Sequence, residues 1–114
     1  QYDEAFNSST ITPQLQYPEI YSSFHLYVIQ LEDGISAENH AQLFSSMREA
    51  GVGVNLHYIP VHTQPYFKQL GFRKGDFPNA EHFYWRALTL PLYPNLSAEK
   101  QEKVIDSLLC ATKA

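Results

Sequence analysis

The sequence predicts an α/β fold: a small, mostly antiparallel sheet with helices packed on one face. Two observations predict it. Segments with the apolar or alternating pattern of strands are separated by segments with apolar residues at helical spacing, in the order strand, helix, strand, irregular segment, helix, strand, helix. The chain has 114 residues, 44% of them hydrophobic, which is enough to bury one core between a sheet layer and a helix layer.

The first 23 residues have no sustained hydrophobic period, and Pro13 and Pro18 interrupt them. We predict that residues 1–23 are a connector from a missing preceding domain, and that residues 24–114 form the domain itself. Four apolar residues of the connector are expected to cover or extend an apolar surface: Phe6, Ile11, Leu15 and Ile20.

The first strand and the first helix are predicted between Phe24 and Gly51. The run FHLYVIQL, Phe24 to Leu31, is aromatic, β-branched and apolar on both faces, which is typical of a strand inside a sheet. Ser36 is predicted to cap the following helix, and Gly51 to end it in the left-handed conformation. The apolar residues of this helix share one face: Leu43, Phe44 and Met47.

A second strand is predicted over Val54 to Ile59, where residues for two faces alternate until Pro60 ends the segment. This alternation would point His57 and Tyr58 to opposite faces, unless Pro60 twists the end of the strand. Residues 61–78 contain two prolines and two glycines, so we expect no more than one or two helical turns there.

The last third of the chain predicts a helix, a short strand and a final helix. Asn79 is predicted to cap a helix through Leu88, with four inner residues: Phe83, Tyr84, Ala87 and Leu88. Thr89 to Tyr93 is predicted as an edge strand, because Pro91 cannot donate to a ladder. Ser97 is predicted to cap the final helix, whose buried stripe has four members: Val104, Ile105, Leu108 and Leu109.

Charge and cysteine content exclude several classes of protein. The net charge is −4, and the eight Lys and Arg residues form no cluster, which argues against nucleic acid as a partner. No apolar run approaches the roughly 20 residues needed to span a bilayer, and no secretory signal is predicted, so we expect no membrane association. A single cysteine, Cys110, fits a cytoplasmic protein and is predicted to pack on the apolar side of the final helix.

Polar and aromatic residues are densest between Asn55 and Phe67. This stretch combines flat apolar faces, on Tyr58, Tyr66 and Phe67, with directional donors and acceptors, on His57, His62 and Gln64. A sugar ring needs this mixture, because its C–H face packs on aromatic rings while its hydroxyls need partners. The alternative is that the tyrosines are core residues and the histidines are satisfied surface groups.

Other kinds of site find no support in the sequence. The five histidines lack the short, facing spacing of zinc ligands, and Cys110 has no partner, so no metal site is predicted. No nucleophile elbow, glycine-rich phosphate loop or pair of catalytic carboxylates is present, so no catalytic residue is predicted.

Three stretches, in order, carry a family resemblance. They are HLYVIQL from His25, GVGVNLHYIPVHTQPYF from Gly51, and GDFPNAEHFYWRALTLPLYPNLSAEKQEKVI from Gly75. Together they resemble the C-terminal small domain of pyridoxal-phosphate-dependent sugar aminotransferases of the DegT/DnrJ type. The resemblance covers residues 24 to about 110 and is strong because all three stretches stand at the right spacing.

The resemblance implies a parent enzyme that transfers an amino group from glutamate to a nucleotide-linked keto sugar, for surface polysaccharides and amino sugars. Pyridoxal phosphate is its cofactor, held by a lysine of the larger N-terminal domain. This chain has no lysine in that context, so it is expected to be inactive and to bind no cofactor alone. The family also implies a homo-oligomer. The amino-acid sequence of the second stretch most resembles transaminases that make UDP-4-amino-4,6-dideoxy-N-acetyl-hexosamine in the pseudaminic acid pathway.

The resemblance also implies substrate contacts. His57 and Tyr58 match the family's His-Tyr pair that approaches the sugar nucleotide, and His62 is an extension of that set. His25 matches a family position too, although packing within its strand explains it equally well. A freestanding sugar-binding or interaction module without catalysis remains the alternative function.

Overall fold

The fold is described by a computed structural model that covers residues 1–112. Its helices are α1 (Tyr2–Phe6), α2 (Ala37–Glu49), α3 (Pro65–Gln69), α4 (Pro78–Arg86) and α5 (Ala98–Thr112). Its strands are β1 (Thr12–Pro13), β2 (Tyr27–Gln30) and β3 (Ala87–Leu90), and a 3₁₀ turn occupies Val61–Thr63.

The three strands form one antiparallel sheet in the order β1-β2-β3. In its register, Ile29 of β2 lies opposite Leu88 of β3, and Gln30 of β2 lies opposite Thr12 of β1. Helix α2 packs against α5 and α4, and α1 packs against α5. The predicted α/β class and antiparallel sheet are confirmed. The strand predicted over Phe24 to Leu31 is β2, and its predicted position inside the sheet is confirmed too.

Local signals for helix ends were reliable at three positions. The Ser36 hydroxyl accepts a hydrogen bond from the Asn39 backbone N–H at 3.1 Å, and Ser97 does the same for Lys100 at 3.3 Å. Gly51 follows α2 with φ +78°, a left-handed conformation that side chains disfavour. All three predicted boundaries are confirmed, because each depends on residues within one helical turn.

The predicted strand over residues 54–59 is wrong beyond Asn55. Asn55 makes both backbone hydrogen bonds with Thr89, at 3.1 and 2.9 Å, and the ladder stops there. In this antiparallel register His57 would next face Ala87. The Ala87 N–H already bonds to the Phe83 carbonyl, and the Ala87 carbonyl lies 2.9 Å from Nε2 of His40. Ala87 therefore offers no free backbone group to extend a fourth strand past Asn55.

The predicted bounds of α4 and β3 were also wrong. Helix α4 begins with Pro78, whose missing N–H costs nothing in the first turn, and not after a cap at Asn79. It ends at Arg86, because Ala87 and Leu88 pair with β2. Strand β3 therefore begins two residues earlier than predicted and ends before Pro91. It lies at an edge of the sheet, as expected.

Residues 1–13 contribute to the core, although the sequence pattern indicated only a connector. Phe6 and Ile11 are buried as expected, whereas Leu15 and Ile20 are exposed. The Tyr2 hydroxyl donates to the Pro91 carbonyl at 2.9 Å, which ties α1 to the end of β3. The boundary at residue 23 stays a prediction, but α1 and Ile11, just before β1, lie in the same core as β2 and β3.

The buried stripe of α5 is confirmed at Val104, Ile105 and Leu108, and Leu109 is partly buried. Cys110, by contrast, is exposed, so its predicted packing role is wrong. Two residues after Leu108, it lies about 200° around the helix from that buried side chain. No helix within residues 1–112 is long and apolar enough to cross a membrane.

Candidate functional site

His57 lies where the chain leaves the edge of β3. Its ring is half-buried, and its Nδ1 atom forms a hydrogen bond of 2.9 Å with the Thr89 hydroxyl. Thr89 is buried and sits in the middle of β3, so this bond fixes the orientation of the imidazole. The structure shows no partner for the His57 Nε2 atom among residues 1–112, which leaves that nitrogen able to bind a ligand.

Tyr58 lies beside His57 and is 73% exposed. The two rings meet edge to face, with centroids 4.7 Å apart and planes at 81°. The expectation that strand alternation separates them is wrong, because the chain is not a strand here. The two side chains form one surface that offers an imidazole nitrogen, a phenol hydroxyl and an apolar ring face.

His62 lies inside the protein and not on this surface. It is 6% exposed, and its Nε2 atom lies 2.7 Å from Oε1 of Glu81, itself 9% exposed. The His62 ring also packs against Phe77, with centroids 4.9 Å apart. The structure therefore gives His62 a position from which it supports the segment after Tyr58.

Glu81 is the residue that the sequence reasoning missed. The same Oε1 atom accepts a second hydrogen bond of 2.6 Å from the Gly75 backbone N–H. We call His62, Gly75 and Glu81 the Glu81 latch, because the three residues join the 3₁₀ turn, the turn before α4 and α4 itself. A glutamate in the first turn of a helix is usually a solvated partner of the helix dipole, so no local signal distinguished this one.

The latch sets the charge state of Glu81. The Gly75 N–H first, and then the bond with His62, lower the pKa of the Glu81 carboxyl below its usual 4.5. A lowered pKa in the folded state stabilises the protein above the unfolded-state pKa, and this contribution is lost as the pH falls through the folded-state value. The latch therefore requires an ionised Glu81.

We expect Glu81→Gln to lower the melting temperature of the chain by several degrees at pH 7. The amide keeps the size of the side chain but removes the negative charge that the two donors stabilise. The difference from the unmodified chain should shrink as the pH falls below about 4.5, the unfolded-state pKa, and disappear below the lower pKa of the folded-state carboxyl. Thermal denaturation between pH 3 and pH 7 measures it.

Glu38→Gln is the matched control for this experiment. Glu38 also lies in the first turn of a helix, but it is exposed. The Glu38→Gln variant should therefore show little change in melting temperature at any pH. Equal effects of the two substitutions would contradict a specific role for the latch.

A cleft of about 600 Å³ opens on the other side of His57. Its walls are the outer edge of β3, the turn at Gly51–Gly53 and the first turns of α5. Its polar lining comes mainly from His25, Asn55, His57 and two lysines of α5, and no Asp or Glu lines it. Within residues 1–112, no group of three His, Cys, Asp or Glu residues could hold a metal ion.

The model of the DegT/DnrJ/EryC1/StrS aminotransferase family matches residues 1–109. The chain belongs to this family. It corresponds to the C-terminal small domain of the family's proteins, and the match begins within the segment that the sequence pattern indicated as a connector.

Relatives of known name agree with this assignment. SpsC of Bacillus subtilis, a spore coat polysaccharide biosynthesis protein, is 38% identical over 88 residues, which are 75% of this chain and 23% of SpsC. The structure of Spr1654 of Streptococcus pneumoniae, described as a sugar aminotransferase, superposes with a TM-score of 0.92 at 32% identity, over 98% of this chain and 28% of that one. The structure of PseC of Helicobacter pylori, an aminotransferase involved in pseudoaminic acid biosynthesis, superposes with a TM-score of 0.88 at 26% identity. The match covers 98% of this chain and 30% of PseC. The chain thus spans less than a third of the length of these relatives.

The family uses pyridoxal phosphate, and Spr1654 has been described in its PLP and PMP forms. The described residues of this chain do not fit the covalent attachment of that cofactor. The attachment needs a lysine in an enclosed, desolvated position, where its amine can lose a proton. Four of the five lysines are exposed: Lys68, Lys74, Lys100 and Lys103. The fifth, Lys113, lies outside the described residues.

Proposed function

We propose that this chain forms the substrate-contacting C-terminal part of an aminotransferase that transfers an amino group from glutamate to a nucleotide-linked keto sugar. The observation that carries the proposal is the surface formed by His57 and Tyr58 in a member of a sugar aminotransferase family. Pyridoxal phosphate, held elsewhere in the enzyme, supplies the electron sink for the amino transfer. The residues of this chain bind and orient the sugar nucleotide.

His57 and Tyr58 have distinct roles in this proposal. The His57 Nε2 atom is held in place by the Thr89 bond and forms a hydrogen bond with a polar oxygen of the sugar nucleotide. The exposed Tyr58 ring packs on the C–H face of the sugar, and its hydroxyl binds a second oxygen. His62, which the sequence indicated as a third contact, supports the same segment from inside through Glu81.

We also propose the substrate branch. The sequence VNLHYIPVHTQPYF and the likeness to PseC favour a UDP-linked 4-keto-6-deoxy-N-acetyl-hexosamine as the substrate. Amino transfer converts this substrate to the 4-amino sugar of pseudaminic-acid-type products. The likeness to SpsC, named for spore coat polysaccharide biosynthesis, favours the wider class of surface polysaccharide precursors.

The amino transfer is tested on the whole protein that contains this chain. With pyridoxal phosphate, glutamate and the UDP-4-keto sugar, we expect the UDP-4-amino sugar and 2-oxoglutarate in equal amounts, measured by mass spectrometry. Binding of the nucleotide sugar without amino transfer would contradict the proposal and favour a binding module.

The chain alone should not carry the cofactor covalently. After incubation with pyridoxal phosphate and borohydride, we expect no stoichiometric adduct on a single lysine, because the described lysines are all exposed. Peptide mapping gives the measurement. A complete, site-specific adduct on one of the five lysines would contradict this part of the proposal.

A further inference from the structure

Two lysines place positive charge at defined points of the cleft beside β3. Lys100 and Lys103 lie one turn apart on α5, and both line the cleft. The Lys103 ammonium lies 3.3 Å from the point that a side chain on Gly51 would occupy. Because Gly51 has no side chain and φ +78°, the ammonium can lie close against the turn after α2.

The charge of this cleft is opposite to that of the chain. The protein has twelve acidic residues and a net charge of −4, yet none of the acidic residues lines the cleft. Within the part of the chain that the structure describes, neither Lys100 nor Lys103 forms an ion pair. His25 and His57 add two imidazoles to the same lining. A cleft lined by one sign of charge concentrates ligands of the other sign.

The size and walls of the cleft select a small ligand. Its volume of about 600 Å³ lies within the range of small-molecule sites. Apolar side chains form much of the rest of the lining, among them Val52, Leu90, Leu92, Leu96 and Val104. Two ammonium groups on successive turns suit an anion with more than one charged group.

We propose that this cleft is a binding site for a diphosphate group, held by Lys100 and Lys103, with Asn55 and the two imidazoles as further donors. Lysine binds phosphate as a point charge and imposes no fixed geometry. Since His57 borders both this cleft and the surface with Tyr58, the diphosphate of the nucleotide sugar is one source of the ligand, a link that rests on the proposed function. A free diphosphate-bearing molecule is the other source.

The test measures binding of inorganic pyrophosphate to the chain by NMR titration, with no turnover required. We expect saturable shifts in the amide signals of residues 51–53 and 100–104. Lys100→Gln and Lys103→Gln should each weaken binding about tenfold, since each removes a charged hydrogen bond. Lys68→Gln is the matched control, because Lys68 is an exposed lysine outside the cleft and should leave the affinity unchanged. Circular dichroism checks that the variants keep the fold.

A second titration distinguishes the two sources. If UDP-N-acetylglucosamine displaces pyrophosphate and also shifts the signals of His57 and Tyr58, the ligand is the substrate diphosphate. If pyrophosphate binds but the nucleotide sugar does not displace it, the site serves a separate diphosphate. Absence of saturable binding, or equal losses in the Lys68 and Lys103 variants, would overturn the site. Neither result depends on amino transfer, so the proposed function is tested separately.

Discussion

Phe6→Ala is expected to lower the free energy of unfolding of the chain by about 3–5 kcal/mol. The Phe6 side chain is 1% exposed and stacks on the Tyr2 ring, with centroids 5.9 Å apart. Its truncation removes a large apolar contact and leaves a cavity among α1, the sheet and α5. Domains are stabilised by only about 5–15 kcal/mol, so the loss is a large part of the total. Urea denaturation followed by circular dichroism measures it.

Leu15→Ala is the matched control for the Phe6 substitution. Leu15 lies in the same N-terminal segment but is 71% exposed, so its truncation should change the stability by less than about 0.5 kcal/mol. If Phe6→Ala does not fold, Phe6→Leu gives a smaller loss that is still measurable. Equal, small effects at positions 6 and 15 would contradict the packing of α1 in the core.

His57→Ala and Tyr58→Ala, made in the whole enzyme, are each expected to lower kcat/KM by about tenfold to a few hundredfold. A hydrogen bond to a neutral group contributes about 0.5–1.5 kcal/mol, and a packed aromatic ring adds a similar amount. The pyridoxal absorbance should not change, because other residues hold the cofactor. Steady-state kinetics with the UDP-4-keto sugar and an absorbance spectrum give the measurement.

Two further variants distinguish direct contact with the substrate from the orientation of the His57 ring. Tyr58→Phe removes only the hydroxyl and should retain the part of the activity that depends on ring packing. Thr89→Val removes the bond that orients His57 and should reproduce part of the His57→Ala loss. Tyr17, also exposed and outside the stretch from Asn55 to Phe67, is the matched control, and its replacement by alanine should leave the kinetics unchanged. Unaltered kinetics in both the His57 and Tyr58 variants would contradict a substrate role.

Sequence patterns predicted the elements that depend on neighbouring residues. The apolar run before Leu31 became the central strand, and Ser36, Gly51 and Ser97 stand at the helix ends where their chemistry indicated them. A cap or a left-handed glycine is decided within one turn of the chain. These features therefore need no knowledge of the remaining fold.

The sequence pattern gave wrong predictions where contacts with a distant segment of the chain determine the structure. Residues 54–59 alternate as a strand does, but the ladder stops at Asn55, because the backbone groups of Ala87, the next partner in β3, already bond to Phe83 and His40. Residues 1–13 lack a period, yet Tyr2 and Phe6 are buried because the sheet and α5 lie beside them. A strand or a buried side chain requires a surface to pack on, and the sequence pattern does not show which surface is near.

The family and the antiparallel α/β class were accessible from the sequence, because they depend on residue types at fixed spacing, whereas the substrate role of His57 and Tyr58 stays a prediction. The tertiary structure alone decided that His62 turns inward to Glu81, which lies 19 positions away in the chain. It also decided that two lysines of α5 meet Gly51 and His57 at one cleft without a carboxylate. Both arrangements depend on contacts between distant segments, and such contacts form only when the sheet and the helices pack.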